Sequence, residues 1–422
     1  SRPDIDTIEQ RDSDRSMITG DKGLAVKIAM EVICTMAAVQ DARELIDVSR
    51  AHIDGCILAH DANLNFAEKM HDMGAKICIP TTINAISVDR ENWQSQGLVP
   101  EFGLKASRLA DAYVKMGAHP TFTCAPYLLD DAPVIDETIG WSESNAVIFA
   151  NSVLGSRTQK HPDYFDLFIA ITGRAPKTGV YLSENRSPVC ELRVKIPKLF
   201  DDAFWPMLGW LAGAKSPIGI PILTGLESVS PTQDDLKALC AAFGTTSGAP
   251  MLHIRGHTPE GLNEIPENTK LEEIIEIDFI NLWQKFNSEE VQVDLVAIGS
   301  PHASMSECRA FADLLEGKYC FSQTKTILTV GRNTLAKLYS TGIADRLKRS
   351  GVQVIPDICW CSITEPIFPK NASVLMTNSG KYAHYGKALS GREVRFGSLE
   401  NCAKAAMSGQ ASLGLPNWLS PN

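Results

Sequence analysis

The sequence of 422 residues contains no uncharged apolar run approaching the roughly 20 residues that span a bilayer. A membrane-spanning helix is therefore not expected. It also lacks an excess of positive charge: 40 Lys and Arg stand against 50 Asp and Glu, a net charge of −10. Nucleic-acid backbones and anionic membrane surfaces both require clustered basic groups, so neither is an expected partner. The even, regular cysteine framework of a secreted domain is missing too, since 11 cysteines fall at irregular intervals. That usage fits a reducing cytoplasm, in which most thiols are small buried apolar groups. No fixed-period repeat and no low-complexity tract is present. Residues 1–22 are polar and charged, unlike a signal peptide, and Ser1 in place of a start methionine points to a processed or excised chain.

Hydrophobic residues make up 44% and charged residues 21%, an ordinary globular balance. The length exceeds what one core usually supports, so two or three domains are expected. Composition and pattern divide the chain into a linker arm (1–20), a first α/β domain (21–154), a middle α/β domain (155–290) and a C-terminal α/β domain (291–422). Helices are expected at Gly23–Gln40, Gly103–Met116 and Gln233–Phe243, with strands at Glu44–Ser49, Ala75–Pro80, Thr121–Pro126, Ala146–Ala150 and Met251–Arg255. Arg50–Gly55 reads as a loop. The last third alternates strands (Val293–Ile298, Lys325–Val330, Val352–Pro356, Ser373–Thr377) with helices (Met305–Glu316, Thr334–Ser350, Leu399–Met407). Such βα units build parallel sheets flanked by helices.

In open parallel sheets ligands bind beyond the carboxyl ends of the strands. In the last third those ends carry Gly299–Ser300–Pro301–His302, Gly331–Arg332–Asn333, Asp357–Ile358–Cys359–Trp360–Cys361 and Asn378–Ser379–Gly380–Lys381. Two thiols two positions apart, Cys359 and Cys361, suit zinc or an iron–sulfur group. A third ligand must come from elsewhere, and Cys124, next to the strand-breaking Pro126, is the best donor. The same three residues also read as ordinary core packing, as do the other eight cysteines. His52 stands just before the loop residue Gly55. Thr81–Thr82–Ile83–Asn84, Glu143–Ser144–Asn145 and Asn151–Ser152 read either as ligand contacts or as turn and helix caps. Lys381, followed by Tyr382, His384 and Tyr385, reads as solvated, or as partly buried with a lowered pKa or an anion partner.

Several segments together resemble the aconitase X family. They are Ala51–Gly55, Pro80–Asn84, Thr123–Leu128, Trp141–Ala146, Phe149–Thr158, Gly299–His302, Ser379–Tyr385 and Val394–Ser398, in order over nearly the whole chain. The resemblance implies an aconitase-like multi-domain large portion, paired with a small swivelling domain that is fused or separate and supplies a Ser as base. It implies a hydro-lyase using iron, as a cluster with [2Fe-2S] favoured or as a single ion. Carried over by motif, the ligand positions are Cys124, position 300 and Cys359. This chain has Ser300 where many members have Cys, and an extra thiol at Cys361. The resulting set is Cys124, Cys359 and Cys361, with one iron position open.

The family activities are dehydration of cis-3-hydroxy-L-proline and of phosphomevalonate. The departure at Ser300 and the hydroxyl-poor loop Gly55–Cys56–Ile57 favour the first, giving Δ1-pyrroline-2-carboxylate through an enamine. On this reading Lys381 and Glu143 are catalytic, Lys381 pairing with the substrate carboxylate together with Asn84 and Ser144. His52, Gly55, Thr82, Asn151, Ser152 and Ser300 complete the substrate contacts. Two other classes are an iron–sulfur sensor or RNA-binding aconitase relative, disfavoured by the acidic balance, and a zinc hydrolase using Cys and His52.

Overall fold

The computed structural model describes residues 4–420. The first body holds β1 (Leu45–Asp47), β2 (Ala51–Ile53), β3 (Thr81–Ile83), β4 (Gly140–Trp141) and β5 (Arg174–Pro176). β2 is the middle of a three-stranded parallel sheet in the order β3-β2-β4, and β1 pairs antiparallel with β5. The second body carries a four-stranded parallel sheet in the order β8-β7-β6-β9, built from β6 (Cys190–Val194), β7 (Pro221–Thr224), β8 (His253–Ile254) and β9 (Lys270–Ile274). The third is a five-stranded parallel sheet in the order β12-β11-β10-β13-β14, from β10 (Leu295–Ile298), β11 (Lys325–Val330), β12 (Val352–Pro356), β13 (Val374–Thr377) and β14 (Glu393–Phe396). The α/β architecture with parallel sheets flanked by helices is as the sequence implied.

Every residue of β10 and β13 is buried, the unbroken apolar run of a strand covered on both faces. The helices that follow are started by hydroxyl caps. Ser304 accepts from the Glu307 N–H at 3.1 Å while Glu307 accepts from the Ser304 N–H at 3.1 Å. Ser379 accepts from the Tyr382 N–H at 3.0 Å and so starts the helix Gly380–Ser390.

Several expectations are corrected. The arm is partly the helix Asp12–Thr19, pinned by the buried Asp14 to Arg174 at 2.9 Å. Residues 155–186 pack on the first body, because β5 pairs with β1 and the helix Phe165–Thr172 shares a core with Leu24–Val39. Arg50–Gly55 holds the central strand β2 rather than a loop, and the strand expected at Ala75–Pro80 begins only at Thr81. Ala146–Ala150 is not a strand but a buried helix, Ser144–Phe149, running into a π turn at Ala150–Leu154. A helix wrapped by protein needs no polar stripe, so its period is hidden. Thr121–Pro126 forms no strand, since Phe122 takes φ +43°. The helix expected at Thr334–Ser350 is broken into Arg332–Ser340 and Ile343–Arg349 at Gly342, which takes φ +75°.

Among the described residues no helix is long and apolar enough to cross a membrane. All 11 cysteines are free thiols. Of the eight read as packing, Cys34, Cys56, Cys240, Cys308 and Cys402 are buried, Cys190 and Cys320 are half-buried, and Cys78 is exposed.

Candidate active site

Two sheets bring their carboxyl ends to one place. From the first body, β2 ends in Asp54 and Gly55, β3 in Asn84, and β4 leads to Glu143 at the start of the helix Ser144–Phe149. From the third, β12 leads to the loop of Cys359 and Cys361, and β13 to Lys381 in the first turn of Gly380–Ser390. Side chains from the two bodies meet in an ion pair, with Lys381 Nζ 3.1 Å from Glu143 Oε1 and both side chains nearly buried.

Glu143 has three partners. Its Oε1 also accepts from Asn145 Nδ2 at 2.7 Å, and its Oε2 from Asn84 Nδ2 at 3.1 Å. Burial alone pushes this carboxyl up, but the Lys381 ammonium and the two amides outweigh it and hold it down at about 2. Burial likewise works against the charge on Lys381, and the Glu143 carboxylate outweighs it and carries the ammonium well above its ordinary value. Of the readings open for Lys381, the structure gives a cation fixed on an anion.

Beyond the pair lie the thiols. Cys124 and Cys359 are 1% and 5% exposed and pack together against Ala85. Cys359 stands between Cys124 and Cys361; hydrogen bonding to Cys124 raises it to about 12, against the opposing pull of Cys361. Cys361 is solvent-exposed, and its thiol is raised well above the usual range first by hydrogen bonding to Cys359. Among the described residues no three His, Cys, Asp or Glu side chains are already arranged to hold an ion. The donor chemistry nonetheless fits iron: three soft sulfurs in sequence, with N–H groups aimed at them. The His302 N–H donates to Cys124 Sγ at 3.2 Å, and the Cys361 N–H to Cys359 Sγ at 3.4 Å. Crowded thiols keep their protons because adjacent thiolates repel, and a cation among them reverses that balance.

A clamp ties the two cysteine loops together. Phe122 and Asp357, each two residues before a cysteine, both take left-handed φ, +43° and +72°. The fully buried Asp357 carboxylate accepts from the Arg332 guanidinium (Nε at 3.0 Å) and from the Arg90 N–H at 3.0 Å. Both guanidinium groups lie over the Phe122 ring, at 5.4 and 5.9 Å from its centroid. His302 adds a second tie, with Nε2 donating to the Ile358 carbonyl at 2.7 Å. Gly299, at φ +104°, opens this segment, and a side chain there would strike the Thr329 carbonyl.

The remaining residues sort by their contacts. The His52 ring is buried, with Nδ1 2.7 Å from Thr82 Oγ1, so Thr82 orients His52. Burial lowers His52 to about 4, leaving it neutral. Asn84 donates to both Glu143 and Asp54. Gly55 is packed so closely by Tyr113 and Tyr164 that a Cβ would lie 3.1 Å from Tyr113 Oη. Ser144 opens its helix toward Gly244 of the second body. Ser300 is 8% exposed and its hydroxyl has no partner among the described residues.

Asn151 and Ser152 are engaged by backbone groups. Asn151 donates to the Thr158 and Pro250 carbonyls at 2.8 and 3.0 Å and accepts from the Thr158 N–H at 2.9 Å, while Ser152 Oγ accepts from the Leu252 N–H at 3.0 Å. These side chains staple the π turn to the second body, and the Asn151 amide is fully engaged there. The sequence reading gave no role to Asp54 or Asp166, and named Asn145 and His302 only as parts of candidate segments. Asp166 carried a signal, a lone acid in the apolar run Phe165–Thr172. Asp54 carried none, because its partners Asn84 and Asp166 lie 30 and 112 positions along the chain.

Family models match along the chain in order: the aconitase X first domain over residues 7–184, the second over 188–284 and the third over 293–408. The chain belongs to the aconitase X family of hydro-lyases. It is 44% identical to a cis-3-hydroxy-L-proline dehydratase of Hypocrea jecorina, over 98% of this chain and 71% of that protein. It is also 44% identical to the protein of that name from Pseudomonas aeruginosa, over 96% of this chain and 71% of the relative. A phosphomevalonate dehydratase large subunit of Methanocaldococcus jannaschii is 31% identical over 93% of this chain and 98% of its own length. Among solved structures, the holo form of aconitase X from Thermococcus kodakaraensis superposes with a TM-score of 0.86 at 30% identity, covering 94% of this chain and 100% of that one.

Proposed function

We propose that this aconitase X chain dehydrates cis-3-hydroxy-L-proline, expelling water from Cα and C3 to give an enamine that relaxes to Δ1-pyrroline-2-carboxylate. The observation that carries the reading is the run of contacts from Lys381 through Glu143 and Asn84 to Asp54, set beside the three thiols at the same strand ends. Relatives 44% identical bear that activity in their names, against 31% for the phosphomevalonate enzyme.

Iron held by Cys124, Cys359 and Cys361, as a [2Fe-2S] cluster or a single ion, would supply Lewis acidity toward the leaving hydroxyl. The Lys381 ammonium has three N–H donors and spends one on Glu143, so the others are free for the substrate carboxylate. Charge that builds on the carboxylate side as the α-proton leaves is stabilised by this fixed cation. Glu143, ionised and held by three partners, keeps Lys381 protonated and aimed. His302 and the clamp around Asp357 hold the cysteine loops at fixed separation. The α-proton acceptor is a Ser of a small swivelling domain, fused or separate. The test is an anaerobic assay of cis-3-hydroxy-L-proline and phosphomevalonate side by side with that domain supplied. Turnover of phosphomevalonate alone would reverse the assignment.

A further inference from the structure

The carboxyl ends of β2, β3 and β4 present two acids, and only one has a cation. Glu143 holds Lys381. Among the described residues Asp54 forms no ion pair: Oδ1 accepts from the Asn84 amide, and Oδ2 accepts from none of them. Asp54 is half-buried, so that free oxygen is not sealed in the core. More negative charge lies behind it. Asp166 Oδ2 accepts from the Asp54 N–H at 2.7 Å, and the exposed Asp163 is near enough to act on the same carboxyl. Burial first, then Glu143, Asp163 and Asp166, push the Asp54 carboxyl well above the usual range, and burial raises Asp166 to about 7. The nearby cations are Lys381, already paired, and the half-buried Lys160, whose charge burial disfavours. A place that resists further negative charge in this way stabilises an incoming cation.

Two buried polar groups of the first body have no hydrogen-bond partner among the described residues. The His52 ring is 0% exposed, its Nε2 has no hydrogen-bond partner, and it stands against Asn84 and Glu143. The Tyr113 hydroxyl is likewise buried without a partner, beside Gly55, the residue after Asp54. Buried groups of this kind take a partner from solvent or from a bound molecule.

We propose that Asp54 is the specificity-determining residue that receives the protonated ring nitrogen of the substrate, so that this end of the site selects cyclic secondary-ammonium acids and rejects phosphorylated ones. The inference rests on the proposed function. An amino acid whose carboxylate meets Lys381 and whose adjacent nitrogen meets Asp54 spans about 8 Å with its two hydrogen bonds. Glu143 and Asn84 lie side by side between those two anchors. The ammonium makes a charge-assisted hydrogen bond to Oδ2. A phosphate in its place would face the Asp54 carboxylate with no free cation beside it, a like-charge arrangement that disfavours it.

The test is calorimetric binding to the iron-loaded protein with the small domain present, using L-proline, whose ring nitrogen is cationic, and tetrahydrofuran-2-carboxylate, whose ring oxygen is neutral. The wild type is expected to bind L-proline at least about 30-fold more tightly than the oxygen analogue. Asp54→Asn is expected to cut that preference below about threefold, with the oxygen analogue bound as before, and Asp54→Glu to retain most of it. A wild type without the preference, or an Asp54→Asn protein that keeps it, overturns the proposal. If Asp54→Asn does not fold, Asp54→Ser takes its place under the same criteria. Dehydration of cis-3-hydroxy-L-proline by the same wild-type preparation separates the two readings. Activity together with an unchanged preference in Asp54→Asn removes the role of Asp54 alone, whereas absent activity removes the proposed function.

Discussion

Lys381 and Glu143, 238 positions apart in the chain, meet at 3.1 Å across the facing carboxyl ends of two parallel sheets. The pair is the electrostatic centre of the site, since each residue holds the other in its charged form despite burial. Lys381→Met leaves a buried carboxylate uncompensated, an arrangement that costs about 3–5 kcal/mol. The variant is expected to unfold at lower urea and to lose about 100-fold or more in kcat/KM. Lys381→Met combined with Glu143→Gln should regain much of the stability and none of the activity. Urea titration and steady-state kinetics on the three proteins check this.

Cys359 stands between the other two thiols and interacts with both. Iron content measured after anaerobic reconstitution should therefore fall furthest in Cys359→Ser and substantially in Cys124→Ser and Cys361→Ser. Full iron and an unchanged visible spectrum in the Cys359→Ser protein would remove the proposed ligand set.

Asp357 sits at φ +72° with its carboxylate shared by Arg332 and the Arg90 N–H. Asn keeps an acceptor and tolerates left-handed backbone, while Ala does neither. Asp357→Ala should lower iron occupancy and broaden the spectrum of the bound iron, with Asp357→Asn between it and the wild type. Equal spectra in Asp357→Ala and the wild type would show that the clamp does not position the cysteine loops.

His161 is buried against the Tyr181 hydroxyl at 2.8 Å, and burial lowers it to about 3. Its folded value lies below the unfolded one, so the unfolded chain binds the extra proton. The stability it confers is complete above about pH 6.5 and is lost as the pH falls toward 3. From pH 7 to pH 5 this single group should cost about 2 kcal/mol. Urea midpoints at the two pH values should show a smaller acid loss in His161→Gln than in the wild type.

Asn151 is fully buried and bound to backbone groups of residues 158 and 250. Asn151→Ala should destabilise the protein by about 2–4 kcal/mol through unsatisfied buried groups. The kcat/KM of the folded fraction should stay within about threefold of wild type. A specific rise in KM without loss of stability would restore Asn151 as a substrate contact.

The third body was legible because its strands are continuous buried runs separated by capped helices, as in Leu295–Ile298 followed by Met305–Leu314. The rim carrying Cys359, Cys361 and Lys381 followed from the strand ends alone. The first body was harder to read. Its strands are two or three residues long and carry polar side chains such as His52 and Thr82, so alternation never develops. The Ser144–Phe149 helix, buried on all sides, offered no period. The role of Asp54 was invisible because it depends on Asn84, Glu143 and Asp166, which only the fold assembles.

Cys124 comes from one body, Cys359 and Cys361 from another, and Asn151 is stapled to a third. Severing the polypeptide between residues 284 and 293 would thus leave neither fragment with half an enzyme, because the reacting groups exist as a set only at the seam.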